Sequence, residues 1–234
     1  MSEGCEVAHD RRALVKNALV LGSLLAVPGA VSAAQRITSR DLRPTSPPPI
    51  PGHASTSSVR PVTSSKVVRP ELLRRALASL QRHGDRVKRD RMAIVDFAAP
   101  SSQPRLHFLD LASGKSTSLL VAHGSGSDPA HTGYLARFSN AFGSNASCEG
   151  AFLGSDYYVG KHGRSQRLIG LDPTNDNALG RAIVVHAAWY ANKDVLRTRG
   201  VLGRSQGCFA VGEGDLAEMF ARLGQGRMIY ATKV

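Results

Sequence analysis

The chain has 234 residues, a formal net charge of +12 and 42% hydrophobic residues. The length fits one globular domain with additional segments, and the apolar content is sufficient for a buried core. Most of the excess positive charge lies in the first 91 residues, whereas a nucleic-acid-binding fold carries its charge on the folded surface. We therefore expect no nucleic acid among the partners of this protein.

Residues 1–33 are typical of an export signal peptide. A charged segment, Asp10–Lys16, precedes a short apolar run, Asn17–Val27, and the small residues of Val31–Ala33 match a cleavage site. The apolar run is shorter than the roughly 20 residues that a membrane-spanning helix needs. Arg11-Arg12 also fits a twin-arginine signal. The pattern predicts export by the Sec or the twin-arginine route to the periplasm or cell envelope, with no stable membrane span after cleavage. A retained anchor or a misassigned N-terminus is the alternative.

Two further segments precede the predicted sheet. Residues 34–69 are rich in Pro, Ser and Thr, which predicts a disordered or polyproline-like linker. A helix is predicted over residues 70–90, with Pro70 near its start and Gly84 near its end. Its apolar residues recur at helical spacing, and they are Leu72, Leu73, Ala76, Leu77 and Leu80. We expect this amphipathic helix to pack on the edge of the domain.

From Met92 onward the apolar pattern changes from helical to β-type. No strict repeat and no alternation of strands with helices is visible, so the sequence predicts a mainly β domain with short peripheral helices. The predicted strands are Met92–Ala98, a hairpin of Arg105–Leu111 with Ser116–Gly124, a hairpin of Ala151–His162 with Gln166–Asp172, a buried strand within Arg181–Trp189, and a last strand at Arg227–Thr232. A short helix is predicted within Glu213–Gly226, ending at Gly224.

The three cysteines are Cys5, Cys148 and Cys208. Cys5 would be removed with the signal peptide, and in an oxidising compartment the other two could form a disulfide. No Cys-x-x-Cys pair exists and no His pair has zinc-ligand spacing beside a carboxylate, so neither a metal nor another cofactor is expected. Each remaining cysteine is either a small buried apolar residue or a reactive thiol. Glu149 beside Cys148 would raise the pKa of that thiol, which makes Cys208 the better candidate nucleophile.

The neighbours of Cys208 favour the reactive alternative. Gly207 precedes it, and backbone N–H groups in such a turn can converge on an oxyanion. A thiol also needs a base, because an unperturbed cysteine carries little thiolate near neutral pH. His186 ends the apolar run of a predicted buried strand, and it is either a satisfied core histidine or the base. With an imidazole beside it, the thiolate of Cys208 is expected to be favoured at neutral pH.

These residues resemble the murein L,D-transpeptidase catalytic-domain family, the YkuD-like cysteine transpeptidases. The resemblance rests on the sequence around His186, on the later turn Ser205-x-Gly207-Cys208, and on the stretches Phe138–Asn140, Tyr158–Asp172 and Asn175–Tyr190. It covers residues 92–234. Gln206 stands where the family often has His, Ala210 stands where many members have Arg or Asn, and the spacing from the His to the Cys is longer than usual.

The resemblance implies an L,D-transpeptidase-like β-sandwich or barrel over residues 70–234, with a cleft centred on the cysteine. It implies Cys208 as nucleophile and His186 as base, with Ala187 orienting the imidazole through its carbonyl. The N–H groups of Gly207 and Cys208 would then form the oxyanion hole. The implied substrates are peptidoglycan stem peptides, attacked at the carbonyl next to D-Ala, and carbapenem-type β-lactams are implied as inhibitors.

Further side chains are candidates for substrate binding. The candidate binding residues are Ser205, Gln206, His123, His162, Lys161 and Arg181. His123 opens a glycine-rich loop that would border the cleft. Lys161 and His162 could contact substrate carboxylates or form a solvated turn, and Arg181 could bind a carboxylate or cap a sheet edge. Three aromatic residues are assigned to packing, namely Tyr134, Tyr158 and Trp189.

Together these observations predict an exported, cysteine-dependent peptidoglycan L,D-transpeptidase or L,D-carboxypeptidase that acts through a thioester. Two alternatives remain open from sequence. One is a different cysteine acyltransferase or amidase, and the other is an inactive peptidoglycan-binding module that kept the fold.

Overall fold

The structure, a computed structural model, describes residues 67–234. The export signal predicted over residues 1–33 and all but the last three residues of the predicted linker lie outside this range. No helix within residues 67–234 is long and apolar enough to cross a membrane.

Eight strands of the described chain form one mixed sheet in the order β3-β2-β1-β8-β4-β5-β6-β7. The strands are β1 (Arg91–Asp96), β2 (Leu106–Asp110), β3 (Ser116–Leu119), β4 (Gly150–Gly160), β5 (Gly163–Gly170), β6 (Val184–Ala187), β7 (Phe209–Val211) and β8 (Met228–Thr232). The helices are α1 (Pro70–Arg82), α2 (Lys193–Arg199) and α3 (Leu216–Leu223). The predicted mainly β fold with short helices is confirmed.

The two edges of this sheet meet. The chain that follows β3 bonds to β7, where the Ala122 N–H donates to the Ala210 carbonyl at 2.8 Å. The next residue after Ala122 also takes part, because the carbonyl of His123 accepts the Ser205 N–H at 2.9 Å. Because closing a sheet removes its unpaired edges, this contact gives the domain its barrel-like form. It also brings the segment around Ser205 next to the loop that begins at His123.

The central strands β1 and β8 run parallel and are buried on both faces. Successive side chains of a strand point to opposite faces. Accordingly, Met92 and Ile94 pack in the apolar cluster that includes α1, whereas Ala93 and Val95 pack in the main core with α3. Burying one large aliphatic side chain contributes about 2 kcal/mol, so α1 is an integral layer of the fold.

The first helix is shorter than predicted, because it ends at Arg82 and not near residue 90. Gly84 follows the end of the helix, and the backbone N–H of Lys88 donates to the carbonyl of Gly226 at 2.6 Å. This bond ties the chain to the turn before β8 and leads it into β1. The apolar helical spacing itself stops at Leu80, which agrees with the observed end.

The sequence did not predict α2 or β7. No residue of α2 is buried, so the helix lacks an apolar stripe, and the three residues of β7 are too few for a periodic pattern. These two elements complete a parallel β6–α2–β7 crossover, whereas no alternation of strands with helices was expected. The candidate nucleophile lies at the end of this crossover.

Candidate active site

The pairing of β6 with β7 places His186 and Cys208 on the same face of the sheet. Val185 pairs with Phe209 in parallel register, and both side chains lie in the main core. The residues on either side of a core-facing residue point the opposite way. His186 follows Val185 on β6, and Cys208 precedes Phe209 in the turn that leads into β7, so both point away from the core.

The turn before β7 requires glycine at position 207. Gly207 has φ of +108°, and a Cβ there would lie 2.6 Å from the Ala146 carbonyl oxygen. The Ser205 hydroxyl donates to the Cys208 carbonyl at 2.7 Å and accepts the Gly207 N–H at 3.1 Å. Ser205 therefore fixes the turn internally. The expectation that the Gly207 N–H is available to an oxyanion is not met here, because that N–H is already bonded.

His123 lies behind this turn and not at the border of the cleft. It is 1% exposed, with Nδ1 2.7 Å from Arg105 Nη2 and Nε2 3.3 Å from Asp128 Oδ2. A guanidinium only donates, so Nδ1 accepts and Nε2–H donates to the carboxylate. The predicted contact of the His123 side chain with substrate is therefore wrong. The residue instead supports the turn through its carbonyl, which binds the Ser205 N–H.

The imidazole of His186 is held in one tautomer. Its Nδ1 lies 2.9 Å from the carbonyl oxygen of Ala187. A carbonyl only accepts, so Nδ1 carries the proton and Nε2 is a free base. Burial lowers the pKa of His186, the Ala187 carbonyl acts in the opposite direction, and the nearby charges of His162 and Lys161 lower it further. His186 is therefore neutral at neutral pH.

The thiol of Cys208 is half-buried, with Sγ 3.6 Å from the carbonyl oxygen of Ala182. Burial raises its pKa, and this effect exceeds the opposing effects of the Val184 N–H and of the charges on Lys161 and Arg181. The expected thiolate at neutral pH is thus wrong for the resting protein. The resting pair is a neutral thiol and a neutral imidazole.

One cleft of about 570 Å³ contains both groups. Of the residues predicted from the sequence, the cleft is lined by Cys208, His186, Lys161, His162, Arg181, Ser205 and Gln206. Residues that sequence reasoning missed or assigned to packing also line it, namely Phe142, Asn145, Tyr158, Tyr190 and Arg204. The other two aromatic residues assigned to packing, Tyr134 and Trp189, are 54% and 58% exposed.

A family model described as L,D-transpeptidase catalytic domain matches residues 64–232. The chain belongs to this family. No curated protein matches the chain.

Solved structures of low similarity were also found. An L,D-transpeptidase from Mycobacterium smegmatis has a TM-score of 0.38 and 11% identity, with 61% of this chain and 58% of that chain covered. The LD transpeptidase LdtMt1 in complex with imipenem has a TM-score of 0.37 and 12% identity, with 61% and 59% covered. The helical cell shape determining protein Pgp2 from Campylobacter jejuni has a TM-score of 0.38 and 14% identity, with 62% and 48% covered. The chain thus spans about half to three fifths of the length of these structures.

In this L,D-transpeptidase domain, Arg181 lines the cleft and bonds to several residues of one neighbouring loop. Its Nη1 donates to the Ser139 carbonyl at 2.8 Å and to Cys148 Sγ at 2.7 Å, and its Nη2 donates to the Ala146 carbonyl at 2.6 Å. The next residue, Ala182, has a φ of +54°, in a region that non-glycine residues rarely adopt. Arg181 therefore ties the loop after Ser139 to its own segment, in which the carbonyl of the next residue, Ala182, contacts Cys208 Sγ.

The two described cysteines of the L,D-transpeptidase domain are both free. Cys148 is fully buried in the main core. Burial raises the pKa of its thiol, although Arg181 acts in the opposite direction. Among residues 67–234 no group of three or more His, Cys, Asp or Glu side chains could hold a metal ion.

The cleft of the L,D-transpeptidase domain is lined by three cations, Lys161, Arg181 and Arg204, and by no carboxylate of the described residues. None of the three takes part in an ion pair within residues 67–234. The arrangement suits an anionic ligand, because such a ligand would neutralise charges that the fold leaves uncompensated.

Proposed function

We propose that this protein is an exported, cysteine-dependent acyltransferase that acts on peptidoglycan stem peptides as an L,D-transpeptidase or L,D-carboxypeptidase. The observation that carries the proposal is the cleft lined by both Cys208, in the turn immediately before β7, and the Nδ1-protonated His186 of the adjacent strand β6. Membership of the L,D-transpeptidase catalytic-domain family supports the substrate class.

In the first step the neutral pair reacts by concerted proton transfer. The Sγ of Cys208 attacks the carbonyl carbon next to D-Ala while its proton passes to Nε2 of His186. The tetrahedral intermediate then expels the amine of D-Ala, which takes that proton from the imidazolium. A thioester on Cys208 and free D-Ala are the products. Formation of the thiolate only during attack fits a resting thiol whose pKa is raised by burial.

In the second step His186, again neutral, removes a proton from the incoming nucleophile. An amine of a second stem peptide gives a cross-link, and water gives a shortened stem peptide. In both cases the C–S bond breaks and the proton returns to the Cys208 sulfur. The Ala187 carbonyl keeps Nδ1 protonated throughout, because its bond to Nδ1–H strengthens when the ring becomes an imidazolium.

The oxyanion is assigned to the N–H of Cys208. The Gly207 N–H donates to Ser205 in the resting structure, so it joins the oxyanion hole only if that bond opens. Lys161, His162, Gln206 and Arg181 remain candidates for contact with the stem peptide, since they line the same cleft. The role of Ser205 is to shape the turn.

We place the activity at the cell envelope. The predicted signal over residues 1–33 and linker over residues 34–69 would bring the domain to the wall, and the positive charge of the linker suits an anionic surface. Because a carbapenem mimics the acyl donor, such β-lactams would acylate Cys208.

The test compares the full chain with Cys208→Ala on stem tetrapeptides that end in D-Ala, with mass spectrometry of the products. Joined stems indicate transpeptidation, and loss of D-Ala alone indicates carboxypeptidase activity. Either product must be absent with Cys208→Ala. Identical product patterns for the two proteins contradict the enzyme and leave a peptidoglycan-binding module, and turnover of other acyl donors alone indicates a different cysteine acyltransferase or amidase.

A further inference from the structure

Arg204 is a charged residue of the cleft that is fixed in place yet has one edge of its guanidinium unused. Its Nη1 donates to the backbone carbonyls of Asp128 and of Pro129, the latter at 3.1 Å. No bond within residues 67–234 involves its Nε or Nη2. The Nε and Nη2 hydrogens lie side by side on one edge of the guanidinium and match the two oxygens of a carboxylate.

The protein itself shows what this edge binds. Arg227 holds Asp90 through Nε at 2.8 Å and Nη2 at 2.7 Å. Arg69 holds Asp96 in the same manner, at 2.8 and 2.7 Å. Arg204 has no such partner among the described residues, although it lines the cleft that contains Cys208.

The other cations of the cleft are less suited to this role. Arg181 already uses both Nη1 and Nη2 for the loop that ends at Cys148. Lys161 is exposed at the turn between β4 and β5 and makes no ion pair within the described part of the chain. Binding a ligand with Lys161 would immobilise a long free side chain, whereas Arg204 is already anchored.

We infer that Arg204 binds the free C-terminal carboxylate of the residue that leaves when Cys208 is acylated. The inference rests on the proposed function, because it deepens the choice of substrate at that same site. Arg204 lies four positions before Cys208, in a segment that the Ser205 bonds hold to the catalytic turn. In the proposed donor the leaving residue is the last of the peptide, so its carboxylate is one residue beyond the carbonyl under attack.

This assignment makes the enzyme selective for the end of a peptide chain. A donor whose leaving group continues into a further amide has no carboxylate at this place, and the Arg204 charge would remain uncompensated. The protein should therefore release terminal residues, with or without transfer to an amine, and leave internal bonds uncut.

The experiment measures kcat/KM of the full chain for a stem tetrapeptide as the free acid and as its C-terminal carboxamide. For the unmodified protein we expect the acid to be preferred by about 30-fold, the effect of losing a charge-assisted pair of hydrogen bonds. Arg204→Gln should lower the ratio of kcat/KM for the acid to kcat/KM for the carboxamide by the same factor, chiefly through KM for the acid. Arg204→Lys should recover part of the preference, since it restores the charge without the paired donors.

Two controls separate this inference from damage to the site. The rate of Cys208 alkylation by the neutral reagent iodoacetamide should not change in Arg204→Gln, which shows that the turn is intact. Arg199→Ala, an exposed cation of α2, should keep the full preference for the acid. The assignment is overturned if the preference for the acid persists in Arg204→Gln and disappears in Lys161→Ala. It is also overturned if the unmodified protein turns over the acid and the carboxamide equally. No turnover of either peptide by the unmodified protein contradicts the proposed function itself, and with it this inference.

Discussion

The imidazole rings of His162 and His186 are stacked, with centroids 4.2 Å apart and planes inclined by 22°. His162 is exposed at the turn between β4 and β5, whereas His186 is buried on β6. The ring of His162 thus covers the ring of His186. When His162 is protonated, its charge disfavours a second positive charge on His186. Burial is the larger cause of the lowered pKa of His186, and the charges of His162 and Lys161 add to it.

We expect His162→Phe to raise the pKa of His186. The phenyl ring preserves a flat partner for the stack but cannot be protonated, so the repulsion disappears while most of the burial remains. Titration of the His186 ring signals by NMR measures the change. Lys161→Met, which removes the other charge that lowers this pKa, should move it in the same direction. A fall in the His186 pKa in either variant would contradict this account of the electrostatics.

His186→Ala should lower the rate of Cys208 acylation by ~10²-fold or more, because a positioned general base contributes about that factor. The rate is measured by mass spectrometry with a carbapenem in single-turnover conditions. His83→Ala serves as the matched control, since His83 bonds Asp172 and does not line the cleft. An acylation rate close to that of the unmodified protein at neutral pH would refute the assignment of the base.

Limiting iodoacetamide should modify Cys208 before Cys148. Cys208 lines the cleft, whereas Cys148 is fully buried against Arg181. Because burial raises the pKa of Cys208, its rate should increase with pH up to and beyond the ordinary thiol value of about 8.5. Peptide mapping locates the adduct, and Cys148→Ser should react normally. A rate already constant near pH 6 would indicate a resting thiolate–imidazolium pair, and first modification of Cys148 would exclude Cys208 as the nucleophile.

The two residues predicted as nucleophile and base, which line one cleft in the structure, each have a local signal in the sequence. His186 ends an apolar strand, and Cys208 follows a glycine whose positive φ is the kind of conformation that glycine adopts readily. Burial on both faces likewise makes β1 a continuous apolar run. The closing of the sheet has no such signal, because it depends on the bond between Ala122 and Ala210, which are far apart in the chain.

The errors at the site have the same origin. His123 stands in a glycine-rich loop, which suggests an exposed segment, yet its partner Arg105 comes from the chain just before β2 and encloses it. Arg204 has no signal in the sequence, because its unbonded Nε and Nη2 are evident only once the carbonyls that bond Nη1 are known. The raised pKa of Cys208 likewise follows from burial, which depends on the segments that surround the turn.

Gly207→Ala should destabilise the protein more than Gly163→Ala. Both glycines have positive φ, at +108° and +70°, so both substitutions strain the backbone. Only at Gly207 would the new Cβ also meet backbone, 2.6 Å from the Ala146 carbonyl oxygen, whereas nothing lies within 4 Å at Gly163. We expect about 1 kcal/mol for Gly163→Ala and about 3 kcal/mol or more for Gly207→Ala, from urea unfolding. Equal losses would show that the close approach of the two segments is unimportant for stability.

His123 should make the stability of the protein sensitive to mild acid. Burial is the largest cause that lowers its pKa to about 4, and the charge of Arg105 acts in the same direction. In the unfolded chain the pKa is near the ordinary value of 6.5, so between pH 6.5 and pH 4 the unfolded state binds the proton and the folded state does not. Unfolding is therefore favoured as the pH falls through this range. The full effect is about 3 kcal/mol, since one pKa unit corresponds to about 1.4 kcal/mol.

The matched control is His123→Gln, whose amide can accept from Arg105 and donate to Asp128 but does not titrate. Urea unfolding at pH 7 and at pH 4.5 gives the free energy of unfolding of both proteins. The unmodified protein should lose about 2 kcal/mol more than His123→Gln between these two values. The comparison cancels the contributions of the other titrating groups, because they are common to both proteins. Equal losses would mean that His123 is protonated in the folded state at pH 4.5, and the network of Arg105, His123 and Asp128 would then have to accept a second cation beside the guanidinium.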